Sequence, residues 1–416
     1  MRRLLRLPSL HSRAAFSSSV EAPASSVRHE ISEENLRVHL EKHGILDANQ
    51  TFTTTQFTHG QSNPTYSLYV DGEPRFVVRR QPPGELLPGA HRVDREFRVM
   101  SALGGPGSTA PVPRTRIYSE DASLVGTPFF VYDFVEGWFH PNPALPNATS
   151  PEERRALYNG MADAIARVHA ADVGVMGLED FGKHEGYVGR QIKTWSRAYA
   201  ASATQQMSAM DTLREKLPSL DPTQNRAGGK VFVAHGDLRL DNMIFLDGPA
   251  TPSPSPSSSP FASSIMQPVA AVLDWELSTL ADTPQLDLAY ACMAFHLPPF
   301  EGCSYTGLKG LEGTPATEGL PTEQEFIDSY VSSFDSHYQA AAGSGQIKHF
   351  DMSHHKYFLA LAFFKAAAIG QGVYQRGIAG NASSPQAKIY GDSAKMCAEM
   401  GLGFLRDFED EAGIAA

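Results

Sequence analysis

The chain has 416 residues, enough for two or three lobes at roughly 150 residues per domain, and 42% of them are hydrophobic against 19% charged, the balance of a globular protein with a large core. The 46 acidic and 35 basic side chains leave a net charge of -11, which excludes bulk electrostatic attraction to nucleic acid or to an anionic membrane. The longest apolar run, Phe358 to Val373, is broken by Lys365 and Gln371 and falls short of the roughly 18 uninterrupted apolar residues of a spanning helix, so no membrane span is expected.

Residues 1–28 differ from the rest. Arg2, Arg3, Arg6 and Arg13 alternate with leucines and serines, and the first acid is Glu21. This composition is that of a mitochondrial transit peptide and leads us to expect a matrix protein. Ser32 to His43 then reads as a short helix with Ser32 as N-cap and Gly44 closing it. Strands are expected at Thr51–Phe57, Tyr66–Val70 and Arg75–Arg79, the last two joined by the Asp71-Gly72 hairpin signal. A helix over Arg92–Leu103 and a strand over Phe129–Phe134 complete a small sheet lobe, residues 29–136. From 137 to 410 the pattern is mainly helical: Glu152–Ala170, Gln191–Met207, Thr322–Tyr338 and Met352–Arg376, with short strands at Met243–Leu246 and Val269–Asp274. Between those strands the Pro- and Ser-rich stretch 248–262 reads as a disordered insertion. Cys292, Cys303 and Cys397 lack CxxC spacing, so buried or inert thiols are expected rather than a disulfide framework or a zinc site. Likewise, His169, His354 and His355 on helices are expected to serve packing or solvation.

The strongest chemical signal is His235-Gly236-Asp237-Leu238-Arg239-Leu240-Asp241-Asn242. It sets an acid and an amide five residues apart, with a base between them, just before a strand. Asp237 is suited to accept a hydroxyl proton, Arg239 to sit beside a transferring phosphoryl group, and Asn242 to offer an amide oxygen to Mg2+. Downstream, Val272-Leu273-Asp274-Trp275-Glu276 ends an apolar strand in a carboxylate, Asp274, as a second hard oxygen ligand.

These segments resemble the aminoglycoside phosphotransferase and choline kinase superfamily, and in detail the kinase-like domain fused to certain acyl-CoA dehydrogenases. The likeness rests on Gly60 to Tyr66, Val78 to Gly84, Ala90 to Arg98, His235 to Asn242, Leu273 to Thr279, Asp287 to Tyr290 and Phe364 to Gly372, spanning about residues 50–376. It implies an α+β, bilobal protein-kinase-like fold with ATP and Mg2+ as cofactors. In that template Gly60, Gln61, Ser62 and Asn63 form the loop over the phosphates, and the phosphate-anchoring lysine corresponds to Arg79, paired with Glu96 on the following helix. Alternation along Phe76-Val77-Val78-Arg79 puts Val77 and Arg79 on one face, and no lysine occurs between Lys42 and Lys183. Asp133 and Val135 fall at the hinge that would meet adenine, and His235 corresponds to a histidine that orients the catalytic loop.

The segment after Asp274 lacks the long activation loop of protein kinases, which points to a small-molecule hydroxyl acceptor. Its pocket is expected between the catalytic loop and the helices Gln191–Met207 and Met352–Arg376, with Arg190, Trp195, Tyr199, Tyr374 and Arg376 as candidate contacts. The dehydrogenase-fused relatives imply a hydroxy acid or hydroxyacyl-CoA in fatty-acid catabolism, and an acyl-CoA dehydrogenase as a partner. The alternative reading is a pseudokinase or a regulatory subunit of such a dehydrogenase.

Overall fold

The computed structural model describes residues 31–57, 63–84, 91–224, 229–246, 251–252, 265–298, 307–311, 313–314, 317–342, 352–380 and 389–414. The expected leader and most of the 248–262 insertion lie outside these residues.

The N-terminal lobe begins with α1 (Glu33–Lys42), whose first turn is capped by Ser32 accepting a hydrogen bond from the Asn35 amide at 3.3 Å. Strands β1 (Phe52–Gln56), β2 (Thr65–Val70) and β3 (Glu73–Arg80) follow. Asp71 and Gly72, at φ 54° and 83°, supply the positive angles that the β2–β3 hairpin needs. After α2 (Val93–Leu103) come β4 (Thr115–Ser119), the short α3 (Ala122–Val125) and β5 (Phe129–Asp133). The five strands form one antiparallel sheet in the order β1-β2-β3-β5-β4. The two-residue period of β3 divides its faces. Phe76 and Val78 join Leu36 and Leu40 of α1 in one core, whereas Val77 packs with Val99, Met100 and Leu103 of α2 in the other. Arg79 is thereby delivered to the α2 side.

The C-terminal lobe contains α4 (Pro151–Ala170), α5 (Tyr187–Ser202), α6 (Ser208–Ser219), α7 (Gln285–Cys292), α8 (Glu323–Ala342), α9 (His355–Ile378) and α10 (Tyr390–Glu411). Short strands β6 (Trp138–Phe139), β8 (Met243–Phe245) and β11 (Val269–Val272) form one small sheet, and β7 (Phe232–Ala234) pairs with β12 (Thr279–Ala281). At the root of the insertion β9 (Thr251–Pro252) pairs with β10 (Ile265–Met266). The whole is the bilobal α+β architecture that the sequence pattern implies.

Helix α9 is long and apolar enough to cross a membrane by length and composition, but 78% of its apolar window is buried inside the fold. Its neighbours explain this. Helix α10 lies along it through small residues: a Cβ at Gly401 would stand only 3.1 Å from the Ala360 carbonyl oxygen and 3.2 Å from Phe363 Cβ. The expected helix 191–207 corresponds to α5 alone, which begins four residues earlier at Tyr187 and stops at Ser202, before α6 opens at Ser208.

Candidate active site

The catalytic loop is held from beneath by one carboxylate. Asp287, in the first turn of α7, accepts the His235 amide at 2.6 Å and the Gly236 amide at 3.0 Å. His169 of α4 lies 3.5 Å from Asp287 and is itself bonded to the Tyr330 hydroxyl at 2.9 Å. Burial pushes the Asp287 carboxyl up, but the His169 and His235 contacts outweigh it and hold the group below its ordinary value. Gly236 adopts φ 87°, and a Cβ there would meet the Leu277 carbonyl oxygen at 2.9 Å, so only glycine fits the turn.

His235 orients the loop. Its Nδ1 accepts the Asp237 amide at 3.1 Å, which leaves Nε2 as the donor to the Leu273 carbonyl at 2.8 Å. The ring packs edge-on against Trp275, centroids 4.6 Å apart, and burial lowers its pKa, so the imidazole is neutral and joins the loop to the segment carrying Asp274.

Asp237 stands at the mouth of this loop, its side chain 21% exposed. Asn242 donates its amide hydrogens to the Asp237 carbonyl at 2.9 Å and carboxylate at 3.0 Å, so its own oxygen is the remaining donor for a cation. Arg239 lies 3.7 Å from Asp237 and 3.0 Å from Asp241. Burial raises the Asp241 pKa.

Across the cleft, Arg79 donates Nε to Glu96 at 2.8 Å, the pairing expected from the sequence. Its other arm reaches into the second lobe, bonding Asp274 directly and lying 3.5 Å from Glu276. Glu96 is 2% exposed, and burial, reinforced by Asp274 and Glu276, pushes it up to about 7 against the pull of Arg79. Those carboxylates in turn raise Arg79 above its ordinary range despite burial. Asp274 sits in the left-handed region at φ 70°, a strained conformation for an aspartate that opens a single tight helical turn, Trp275–Leu277. Burial pushes its carboxyl up, but Arg79 outweighs this and holds it down. Three carboxylates sharing one guanidinium leave surplus negative charge between the lobes. With the amide oxygen of Asn242 nearby in the chain fold, that donor set fits a hard divalent cation such as Mg2+.

The remaining expected residues are placed less uniformly. Gly60, Gln61 and Ser62 lie outside the described residues. Asn63 is buried, with Oδ1 3.0 Å from His91 Nδ1. Asp133 is engaged by Arg116 at 2.6 and 2.9 Å, and Val135 follows it on the connection between the lobes. Arg190 is taken up by backbone carbonyls of Lys183, Glu185 and Leu280. Tyr199 is buried with Arg214 over its ring at 5.9 Å, Tyr374 packs on Gly391, and Arg376 is exposed in the last turn of α9. Trp195 does approach the catalytic loop, through Lys365.

Lys365 is the residue that sequence reasoning passed over. The residue is 3% exposed, and its ammonium donates to the Gly236 carbonyl and lies 4.3 Å from the Tyr290 ring centroid and 5.4 Å from that of Trp195. Burial lowers its pKa. The sequence marked it only as a cation interrupting an apolar helix, within the Phe364 to Gly372 segment of the family likeness, and gave it no role. A cavity of about 50 Å3 adjoins the loop, lined by Arg239, Asp241, Tyr158, Met161, Tyr290 and Leu297 among others. A larger one of about 290 Å3, around Lys230 and Tyr338, contains none of the expected site residues.

A cleft between a sheet lobe and a helical lobe, with this loop on one side and an anchored cation on the other, defines a kinase-like small-molecule phosphotransferase. Residues 53–251 match the family model of the phosphotransferase enzyme family. A solved chain from Ralstonia eutropha, provisionally named an aminoglycoside phosphotransferase, is 33% identical, with 91% of this chain and 99% of that one covered at a TM-score of 0.70. The chain therefore belongs to the phosphotransferase enzyme family. Choline kinase from Cryptosporidium parvum shares the fold at a TM-score of 0.56 and 14% identity, over 92% of this chain and 98% of that one. Acyl-CoA dehydrogenase family member 10 of Mus musculus is 37% identical over 88% of this chain and 31% of its own length. Member 11 of Homo sapiens is 34% identical over 90% and 43%. The chain thus spans well under half the length of these curated relatives.

Proposed function

We propose that this chain transfers the γ-phosphoryl group of ATP, with Mg2+, to the hydroxyl of a hydroxy acid or hydroxyacyl-CoA, in mitochondrial fatty-acid catabolism. The observation that carries the acceptor class is the match of nearly the whole chain to a segment of proteins named as acyl-CoA dehydrogenases.

Asn242 and Asp274 would hold the metal, which supplies charge neutralisation on the phosphates when bound. Asp237 aligns the acceptor hydroxyl and takes its proton. Its carboxylate is steadied for this by the Asn242 amide, and its backbone by His235. Arg239 offsets charge developing on the transferred group, and Arg79, fixed by Glu96, anchors the nucleotide phosphates from the other lobe. The leader composition supports mitochondrial import, and the named relatives make an acyl-CoA dehydrogenase the partner to test.

The deciding experiment incubates purified residues 29–416 with ATP and Mg2+ against a panel of hydroxy acids, hydroxyacyl-CoAs, choline and aminoglycosides, and follows ADP release and phosphorylated product. Turnover confined to choline or an aminoglycoside would replace the acceptor assignment. ATP binding without turnover on any acceptor, together with co-purification of a dehydrogenase, would favour the regulatory-subunit reading.

A further inference from the structure

The far end of α7 from Asp287 carries a second, unrelated cluster of chemistry. Cys292 closes α7, Glu323 opens α8 and His355 opens α9. The three helix ends converge, so that Cys292 Sγ, a Glu323 carboxylate oxygen and a His355 ring nitrogen all lie within 4.8 Å of one another. His355 Nε2 is 2.9 Å from Glu323 Oε1. His296, four residues after Cys292, brings its own Nε2 to 2.9 Å from the same oxygen. Cys292 is fully buried, whereas the Glu323 and His355 side chains remain 23% and 14% exposed, so solvent reaches the cluster from one side.

We propose that Cys292, Glu323 and His355 form a binding site for a zinc-class transition-metal ion, with His296 bracing the Glu323 carboxylate and one coordination position open to solvent.

One sulfur, one imidazole and one carboxylate are the donors that zinc selects, whereas Mg2+ and Ca2+ prefer oxygen alone, so this site differs in kind from the one between the lobes. Zinc bonds of about 2.0–2.3 Å place tetrahedral ligand atoms roughly 3.3–3.8 Å apart, a spacing within a small side-chain rotation of the observed cluster. One ligand, Glu323, is ready. The His296 and His355 contacts overcome burial and hold Glu323 down at about 2, so it is ionised. Cys292 is not ready: burial and Glu323 push its thiol well above the usual range. Metal binding therefore displaces the thiol proton to solvent as the sulfur–metal bond forms, and affinity should rise with pH. The ion would tie the end of α7 to the starts of α8 and α9. Cysteine spacing conceals such a site because each ligand comes from a different helix.

The inference is independent of the phosphotransfer reading. Full-length protein, stripped with chelator and desalted, would be titrated with Zn2+ against a chromophoric competitor and with Co2+ by absorption. The same titrations in Asp274→Asn exclude the interlobe site. We expect one equivalent of zinc with a raised melting temperature, and a thiolate-to-cobalt charge-transfer band, all retained in Asp274→Asn. Cys292→Ser should abolish the band, and His355→Gln, at a partly buried position at the start of α9, should weaken zinc by about tenfold or more. Zinc that fails to compete with the indicator, a cobalt spectrum without the thiolate band, or undiminished affinity in the folded His355→Gln variant would each overturn the proposal.

Discussion

Replacing Arg79 by alanine should produce a loss of stability that grows with pH. The variant leaves Glu96, 2% exposed, without its guanidinium, and breaking one side of a buried pair costs about 3–5 kcal/mol when the remaining charge cannot escape. Glu96 can escape by taking a proton. In the parent its pKa is already about 7, above the ordinary 4.5, so the folded protein holds that proton more tightly than the unfolded chain does. The stability this contributes is fully present below about 4.5 and is lost as pH rises through about 7. Without Arg79, whose charge pulls Glu96 down, the folded value moves higher and the loss continues above pH 7, at up to about 1.4 kcal/mol per pH unit. Urea unfolding of parent and Arg79→Ala between pH 6 and 9 should therefore show a difference that widens by as much as about 3 kcal/mol from pH 7 to 9. Adding Glu96→Gln should flatten that widening, because the titrating group is gone. A difference that stays constant with pH, or persists unchanged in the double variant, would refute the assignment of Glu96 as the group that Arg79 holds charged.

Asp274→Asn should remain folded, with a modest fall in melting temperature as its ion pair with Arg79 is lost, and lose most Mg2+-dependent ATP turnover, since one anionic ligand is removed; full turnover at saturating Mg2+ would count against it as a metal ligand. Lys365→Met leaves the buried Gly236 carbonyl without its donor, so we expect about 1–3 kcal/mol of destabilisation, read by chemical unfolding, with a fall in kcat as Asp237 loses its support. Gly236→Ala, placing a Cβ 2.9 Å from the Leu277 carbonyl at φ 87°, should cost about 1–3 kcal/mol and reduce kcat more than the KM for ATP.

Four strands of the sheet lobe were legible because their signals are local, whereas the edge strand β4 and the short α3 were not read. Asp71-Gly72 fixes the hairpin, and alternation along β3 put Val77 and Arg79 on one face, where the family likeness supplied Glu96 as the partner of Arg79. Helix α10 was not read, although Ala394, Cys397, Ala398, Leu402, Leu405 and Phe408 repeat at helical spacing on its buried side: Gly391, Gly401 and Gly403 interrupt the pattern and glycine reads as a helix breaker, and only contact with α9 shows why small residues are needed there. Strands β7 and β12 are three residues each, too short for a period to register. The motif spacing singled out Asp237, Asn242 and Asp274 as candidates, and the fold brings their segments together through the Leu273 amide on the Asn242 carbonyl at 2.8 Å. It could not reveal Asp287 as the support of the loop, or Lys365 beneath it, because both act across more than 50 residues of intervening chain. Nor could it show that Arg190 is spent on backbone carbonyls.

The forked side chain of Arg79 gives the cleft a latch. A lysine at this position would present a single ammonium and would have to divide it between Glu96 and Asp274; the guanidinium grips one with Nε and the other with a terminal nitrogen. The same carboxylate that suits a metal ion is thus a strut between β3 and the end of β11. Any cation arriving at Asp274 competes with Arg79 for it, and each competitor that wins frees the other. If Asp274 holds the metal as proposed, metal loading and the mechanical coupling of the two lobes would be one equilibrium, set by the choice of arginine over lysine.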